Sequence, residues 1–438
     1  MATMVTTKQE ETRELSTRIL SQLFDTRATQ RVNVRLWDGT WWPDDAPRPA
    51  TIVLRHPGAL RAMFLPATEV ALGEAYIYDD FDIEGEPEQI FDIAYSLVEA
   101  TSGLGTKVRL GLDLGRLPSR ARNARPSSRR GPARLTGRAH SPERDRQAVT
   151  YHYDVSNDFY ALWLDQRMVY SCAYFLSPQD DLDTSQTQKL EYICRKLRLQ
   201  PGQRLLDIGC GWGGLAIYAA QNYGVDMTGI TLSQPQADLA NQRILAAGLA
   251  DRCRVLVLDY RQLDEPESFD ALVSIGMFEH VGAKMLPAYY ERAYRLLRKG
   301  GVFLNHGIAR RMADEFVMDA TSFSQAYVFP DGELLPVSAT LQAAEQSNFE
   351  VRDVESLREH YALTLRQWVK RLEANHQKSL EFVDEPVYRT WRLYMSGSVY
   401  GFASGMLNVY QTLLAKPDEN GQSGLPLTRA DWYQVAPQ

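Results

Sequence analysis

The chain has 438 residues, 44% of them hydrophobic, and a net charge of −7, which is enough apolar material for one large domain or two smaller ones. No apolar run approaches the roughly 18 to 20 residues that cross a bilayer. The polar start Met1 to Glu14 lacks a basic-then-apolar signal, so a cytoplasmic protein is expected. The four cysteines, Cys172, Cys194, Cys210 and Cys253, show no paired spacing, which argues against a zinc site and against a disulfide framework.

In chain order, Thr12 to Glu99 alternates strand-like pieces (Val32–Trp37, Ala50–Leu54) with helix-like ones (Pro87–Glu99). This reads as a small N-terminal α+β domain over residues 1–105. Trp37, Trp41 and Trp42 cluster around a Gly-Thr turn, where core or turn packing competes with an interfacial role. Residues 106–147 read as a basic flexible linker rich in Pro, Ser and Gly. Between Lys107 and Arg146 twelve Lys or Arg face only Asp113, Glu143 and Asp145, a local balance of +9 that leaves −16 for the rest. A solvated tether is one reading. A polybasic contact with anionic lipid headgroups is the other, each basic residue contributing about 1 kcal/mol near such a surface. Nucleic acid is disfavoured, because no aromatic residues are interleaved and the remainder is acidic.

From residue 148 onward the pattern is regular α/β, with strands near 204–209, 225–232, 254–259, 269–276 and 301–308 and helices between them. The expected fold is a doubly wound Rossmann-like sheet. Additions follow it: an aromatic-rich stretch from Arg310 to Pro330, and helical patterns near 361–376 and 386–404. The first strand runs Leu205-Leu206-Asp207-Ile208 into Gly209, Gly211, Gly213 and Gly214, a turn that lets backbone approach a ligand. A dinucleotide site wants an acid at the end of the second strand, and this chain has Gly229-Ile230-Thr231-Leu232-Ser233 there instead. That absence, with Asp207 already inside the first strand, favours S-adenosylmethionine, which carries no phosphate and bears an ammonium and a sulfonium.

Several segments together resemble the cyclopropane fatty acid synthases, a lipid-modifying branch of the S-adenosylmethionine-dependent methyltransferases. They are Tyr151-His152-Tyr153-Asp154-Val155-Ser156-Asn157, Tyr170-Ser171-Cys172-Ala173-Tyr174-Phe175, the glycine turn, the second strand's end, and Gly276-Met277-Phe278-Glu279-His280-Val281-Gly282. Leu72-Gly73-Glu74-Ala75-Tyr76 adds a weaker match. The resemblance implies a class I methyltransferase domain over 148–438. It also implies methyl transfer to the cis double bond of an unsaturated phospholipid acyl chain, with closure to a cyclopropane. Such an enzyme works at the inner membrane surface, with anionic lipids favoured and a homodimer as a candidate assembly.

The same resemblance implies a bound bicarbonate as base, held by Cys172, Glu279, His306, Tyr361 and the main chain of Ile308. A small anion suits this task, since it can take a proton beside a carbocation inside an apolar tunnel. Tyr170, Phe278 and Tyr361 are candidates to stabilise that cation through their ring faces. For the cofactor, Gly209 and Gly211 are expected under the methionine part with Asp207 nearby, and Tyr153 and Ser171 over it. Thr231 and Gln236 are expected near the ribose, and Asp259 or Tyr260 near the adenine. Two departures from the family stand out: the longer arginine-rich linker, and Asn305 and Gly307 flanking His306 where the family often has Leu and Thr. The rival readings are a homologue that leaves a methylene branch, a non-catalytic lipid-binding homologue, and a methyltransferase for a soluble small molecule.

Overall fold

The computed structural model describes residues 2–91, 93, 104–119, 128, 130–153, 155–312 and 322–433. Among them are two sheets, in two compact units. The first unit comprises the N-terminal residues through Pro132 together with the short helix Phe323–Tyr327 and the segment His376–Tyr400. Its sheet has the order β2-β1-β3-β4, from Val32–Arg35 (β1), Trp41–Trp42 (β2), Ala50–Leu54 (β3) and Phe81–Gly85 (β4). Trp41 and Trp42 are thus an edge strand, and the Trp42 ring meets Phe24 edge-on at 5.5 Å. Most of the helix expected over Pro87–Glu99 lies outside the described residues.

The sequence reading placed everything after residue 148 in one catalytic domain. The structure assigns His376–Tyr400 to the first unit instead, and buried arginines give the reason. Arg389 donates from Nε to the Tyr76 carbonyl and from Nη2 to the Phe81 carbonyl, each at 2.7 Å, while Arg392 reaches the Tyr76 hydroxyl at 2.6 Å. These carbonyls lie at the end of the helix Glu69–Ile77 and the start of β4, so Arg389 ties the segment His376–Tyr400 to both. The linker reading also needs correction. A helix, Leu104–Arg116, occupies its first part, and another, Pro142–Tyr153, begins before its end.

The second unit is a seven-stranded sheet in the order β10-β11-β9-β8-β5-β6-β7. Its strands are Arg204–Ile208 (β5), Asp226–Thr231 (β6), Cys253–Val257 (β7), Phe269–Ile275 (β8), Leu297–Arg310 (β9), Glu350–Ser356 (β10) and Leu407–Ala415 (β11). β5 to β9 pair in parallel, and β11 inserts antiparallel between β9 and β10. Side chains alternate across the sheet. Leu205, Met227 and Leu304 face one core with the helices Leu182–Leu197 and Gly214–Tyr223, while Leu206, Ile230 and Phe303 face another with Leu286–Leu296 and Val337–Gln346. Five strands stand where the pattern placed them; β10 and β11 were not foreseen. With β5 flanked by β6 and β8, the chain reverses direction across the sheet here, and ligands of such sheets bind outside the carboxyl ends at this point.

Replacing Arg389 with Met should remove its bonds to the Tyr76 and Phe81 carbonyls and its pairing with Asp79 and Asp82, and cost the first unit about 3 kcal/mol. A urea titration of both proteins would register this as a lowered midpoint.

Candidate active site

A cleft opens at the carboxyl ends of β5, β6 and β8. All nine residues expected to hold the cofactor line it: Tyr153, Ser171, Asp207, Gly209, Gly211, Thr231, Gln236, Asp259 and Tyr260. Gly209 has φ +85°, and a Cβ there would lie 2.6 Å from the Met277 side chain, so only glycine fits. Gly211, at φ +55°, has nothing within 4 Å of a notional Cβ, which leaves its backbone open to a ligand. Thr231 donates to Gln236 Oε1 at 2.8 Å, so these two form one polar wall after β6.

Charge in the cleft is buried and of both signs. Burial raises the Asp207 carboxyl to about 7, with Lys189 pulling it back. Lys189 is itself only 1% exposed and donates to Ser171 Oγ at 2.9 Å; burial lowers it to about 8. Asp259 is not free. Arg261 grips it from Nε at 2.8 Å and from Nη2 at 2.6 Å, and the same guanidinium reaches Asp145 at 2.9 Å. Asp145, placed by sequence in the flexible linker, is therefore a nearly buried anchor of the helix Pro142–Tyr153 against the end of β7.

The residues expected to hold an anion are brought together through elements more than through direct contact. Glu279 sits in the short 3₁₀ turn Phe278–His280 that follows β8, and its Oε1 accepts from the Ile308 amide at 2.7 Å. The Ile308 N–H is thus engaged by Glu279 rather than left to an anion. Burial raises the Glu279 carboxyl to about 7, and among the described residues Oε2 has no hydrogen-bond partner. His306 shares the strand face of Ile308; its Nδ1 lies 3.2 Å from Gln411 Nε2, and its buried Nε2 has no hydrogen-bond partner among the described residues. Asn305 and Gly307 point the other way, Asn305 toward the Tyr289 hydroxyl and Gly307 toward the Phe278 ring, so these departures from the family do not touch the imidazole.

The Cys172 Sγ lies 3.7 Å from the Leu357 carbonyl, at the start of the helix Arg358–Ala374 that carries Tyr361. Leu357 in turn bonds through its amide to Val409, the partner of Ile308 on β11. Burial keeps the thiol protonated by pushing its pKa far up. Among the described residues no hydrogen bond joins Cys172, Glu279 and His306 to one another. Beside Cys172 stands an aromatic box: the Tyr170 ring lies 5.2 Å from Trp368, 5.5 Å from Trp163 and 5.6 Å from Tyr160, and Tyr361 lies 6.0 Å from Trp368. Phe278 belongs elsewhere, in the core with Tyr289.

The family described as mycolic acid cyclopropane synthetase matches residues 140–412, and a domain of unknown function matches residues 19–103. The chain belongs to the mycolic acid cyclopropane synthetase family. A relative from Pseudomonas putida, named probable fatty acid methyltransferase, is 40% identical over 406 residues, which is 92% of this chain and 96% of its own. The cyclopropane-fatty-acyl-phospholipid synthase of Escherichia coli strain K12 is 36% identical over 270 residues, 62% of this chain and 68% of its own. The solved structure of the mycolic acid cyclopropane synthase CmaA1 complexed with SAH and CTAB has a TM-score of 0.58 at 35% identity, covering 61% of this chain and 97% of that one. The second unit is a class I S-adenosylmethionine-dependent methyltransferase fold.

For a member of this family the cleft fits its cofactor: a glycine turn with open space, a buried acid and a buried base, and a Thr-Gln wall. The unpartnered Glu279 Oε2 and His306 Nε2 fit a small oxyanion that offers one donor and several acceptors. Sequence reasoning missed Lys189, Arg261 and Gln411. Lys189 lies in a Gln-Thr-Gln-Lys run that reads as a solvated helix face.

Gly211→Val should abolish S-adenosylhomocysteine binding by calorimetry, since its side chain enters the open space of the turn at a strained φ. Titration of Glu279 gives a second test. Its folded pKa lies above the unfolded one, so its share of stability is fully present below about 4.5 and is lost as pH rises to 7. Glu279→Gln, which lacks this loss, should gain roughly 2 kcal/mol on the wild type between pH 5 and pH 8 in bicarbonate-depleted buffer. Urea unfolding at the two pH values would show it.

Proposed function

We propose that this protein transfers the methyl carbon of S-adenosylmethionine to the cis double bond of an unsaturated acyl chain in a membrane phospholipid and closes a cyclopropane ring. Bicarbonate is the base. The observation that carries the reading is the pair of buried polar atoms Glu279 Oε2 and His306 Nε2, which have no hydrogen-bond partner among the described residues and sit on elements joined by the Ile308–Glu279 bond. The name of the Escherichia coli relative supports the substrate class.

Bound S-adenosylmethionine supplies an electrophilic methyl group, and bound bicarbonate supplies a small proton acceptor. The chain's own residues do the rest. Asp207 receives the methionine ammonium and Lys189 its carboxylate, each meeting the opposite charge in a desolvated cleft. Thr231 and Gln236 hold the ribose hydroxyls, and Tyr260 covers the adenine. Asp259, tied to Arg261, orients that strand end instead of touching the base. An alkene is a poor nucleophile, so its line of attack must be fixed and water excluded. Tyr170, Trp368 and Tyr361 present ring faces that stabilise the resulting carbocation at about 0.5 to 2 kcal/mol each. Glu279, poised near neutrality, accepts the hydroxyl of the anion at Oε2.

The helix Leu104–Arg116 supports docking to a lipid surface. Val108 and Leu112, one turn apart, are 58% and 64% exposed, and Arg109 and Arg116 stand in solvent beside them. An apolar ridge flanked by guanidinium groups suits an anionic bilayer. Of the arginines in the basic segment, Arg120, Arg122, Arg125 and Arg129 lie outside the described residues. The second reading is a methylene branch; the Pseudomonas putida relative, which matches almost the whole chain, is named a probable fatty acid methyltransferase without mention of a cyclopropane.

The test is one incubation of enzyme with methyl-labelled donor and dioleoyl phospholipid vesicles, with and without phosphatidylglycerol, read by carbon NMR of the extracted lipid. Cyclopropane carbon is expected, with incorporation rising on anionic vesicles and falling with salt. Glu279→Gln should turn over at least tenfold more slowly, roughly the loss of one charged hydrogen bond, with S-adenosylhomocysteine affinity nearly unchanged. Exocyclic alkene carbon would replace the synthase reading with the methylene one. No incorporation into lipid would overturn both.

A further inference from the structure

We propose that Gln411, oriented by Lys196, locks His306 in the tautomer with its proton on Nε2, making His306 a fixed hydrogen-bond donor to the oxyanion and excluding it from proton removal. Only the identity of the oxyanion rests on the proposed function.

The inference begins with Lys196, fully buried at the end of the helix Leu182–Leu197. Its ammonium lies 2.5 Å from Glu355 Oε2 and 3.7 Å from Asp353 Oδ2, and over the ring of Tyr192 at 4.5 Å. Two carboxylates and an aromatic face hold the charge in place despite burial. Lys196 also lies 2.9 Å from Gln411 Oε1. An ammonium has donors and no acceptor, so the atom that Gln411 turns toward it must be the carbonyl oxygen. The amide nitrogen is then the one that faces His306 Nδ1, at 3.2 Å. An NH2 group only donates, so Nδ1 must accept, and the proton of a neutral imidazole is left on Nε2.

The ring is held neutral as well. Full burial disfavours the imidazolium, and the nearby Lys189 and Lys196 charges act in the same direction. A doubly protonated ring would also set its Nδ1–H against the Gln411 NH2. The Nε2–H is therefore a desolvated donor with no partner of its own. A bicarbonate ion complements it, since the anion accepts from Nε2–H and donates its hydroxyl to Glu279 Oε2. The site divides the work between a donor that cannot release its proton and a carboxyl that can gain one.

Gln411 faces His306 directly in the antiparallel register of β11 and β9, and both are nearly inaccessible to solvent. No solvent molecule need compete for the contact. Gln411 is thus a positioning residue that acts through His306, and Lys196 acts through Gln411.

The experiment uses histidine labelled with nitrogen-15 in the resting full-length protein, with His306→Gln to assign the signal. In the wild type, Nδ1 should appear as an unprotonated imine nitrogen and Nε2 as a protonated one. Gln411→Glu keeps the shape but replaces the donor with a carboxylate oxygen, so the two signals should exchange. The bicarbonate concentration needed for half-maximal turnover should rise roughly tenfold or more, as expected for loss of a hydrogen bond to a charged group. S-adenosylhomocysteine affinity, the control for folding, should not change. Gln411→Met, with neither donor nor acceptor, should give a mixture of tautomers and a smaller rise. A wild-type ring protonated on Nδ1 or on both nitrogens would overturn the proposal, and so would unaltered bicarbonate dependence in Gln411→Glu. Wild-type turnover indifferent to bicarbonate would overturn the anion reading instead, and the tautomer would still be decided by the spectrum.

Discussion

The hydrogen bond from the Ile308 amide to Glu279 Oε1 is the constraint on which the site depends. It ties the turn after β8 to the carboxyl end of β9, and it leaves the second carboxyl oxygen buried with no hydrogen-bond partner among the described residues. A buried carboxyl held by one backbone donor is neither firmly ionised nor firmly protonated, which is why it titrates near neutrality. A group able to hold or release a proton at cellular pH follows from that half-satisfied state.

Two buried lysines give the second unit its two electrostatic compartments. Lys189 sits in the cleft beside Ser171 and offsets Asp207. Lys196, satisfied by Glu355 and Gln411 of β11, does not line the cleft, and its charge disfavours protonation of His306. Burying either costs several kcal/mol unless it is compensated, so their retention points to positions that need a cation. The Arg261 bridge between Asp145 and Asp259 serves a third purpose, closing the helix that carries Tyr153 against the strand ends.

The family relationship and the geometry contribute different things. Relationship to cyclopropane synthases and to a probable fatty acid methyltransferase supplies the reaction class, S-adenosylmethionine-dependent modification of lipid acyl chains. Geometry adds two buried polar atoms, Glu279 Oε2 and His306 Nε2, that have no hydrogen-bond partner among the described residues.

Local sequence determined whatever depends on neighbours in the chain. The glycine turn, the five parallel strands and the residues at their carboxyl ends were legible because backbone conformation and strand alternation leave a direct imprint on composition. Glu279 and His306 were legible through the motifs around them. Tertiary structure alone decided the rest. β11 inserts between β9 and β10 from about a hundred residues away, and no local pattern announces that pairing. Gln411 therefore looked like an ordinary polar residue, and it acquires meaning only opposite His306. Asp145 read as part of a solvated basic stretch because its partner, Arg261, is 116 positions away. His376–Tyr400 read as an extension of the catalytic domain for the same reason, since the carbonyls its arginines satisfy are more than 300 residues upstream. Buried charges are paired by whichever elements the fold brings together, and a sequence shows the charges without showing the pairing.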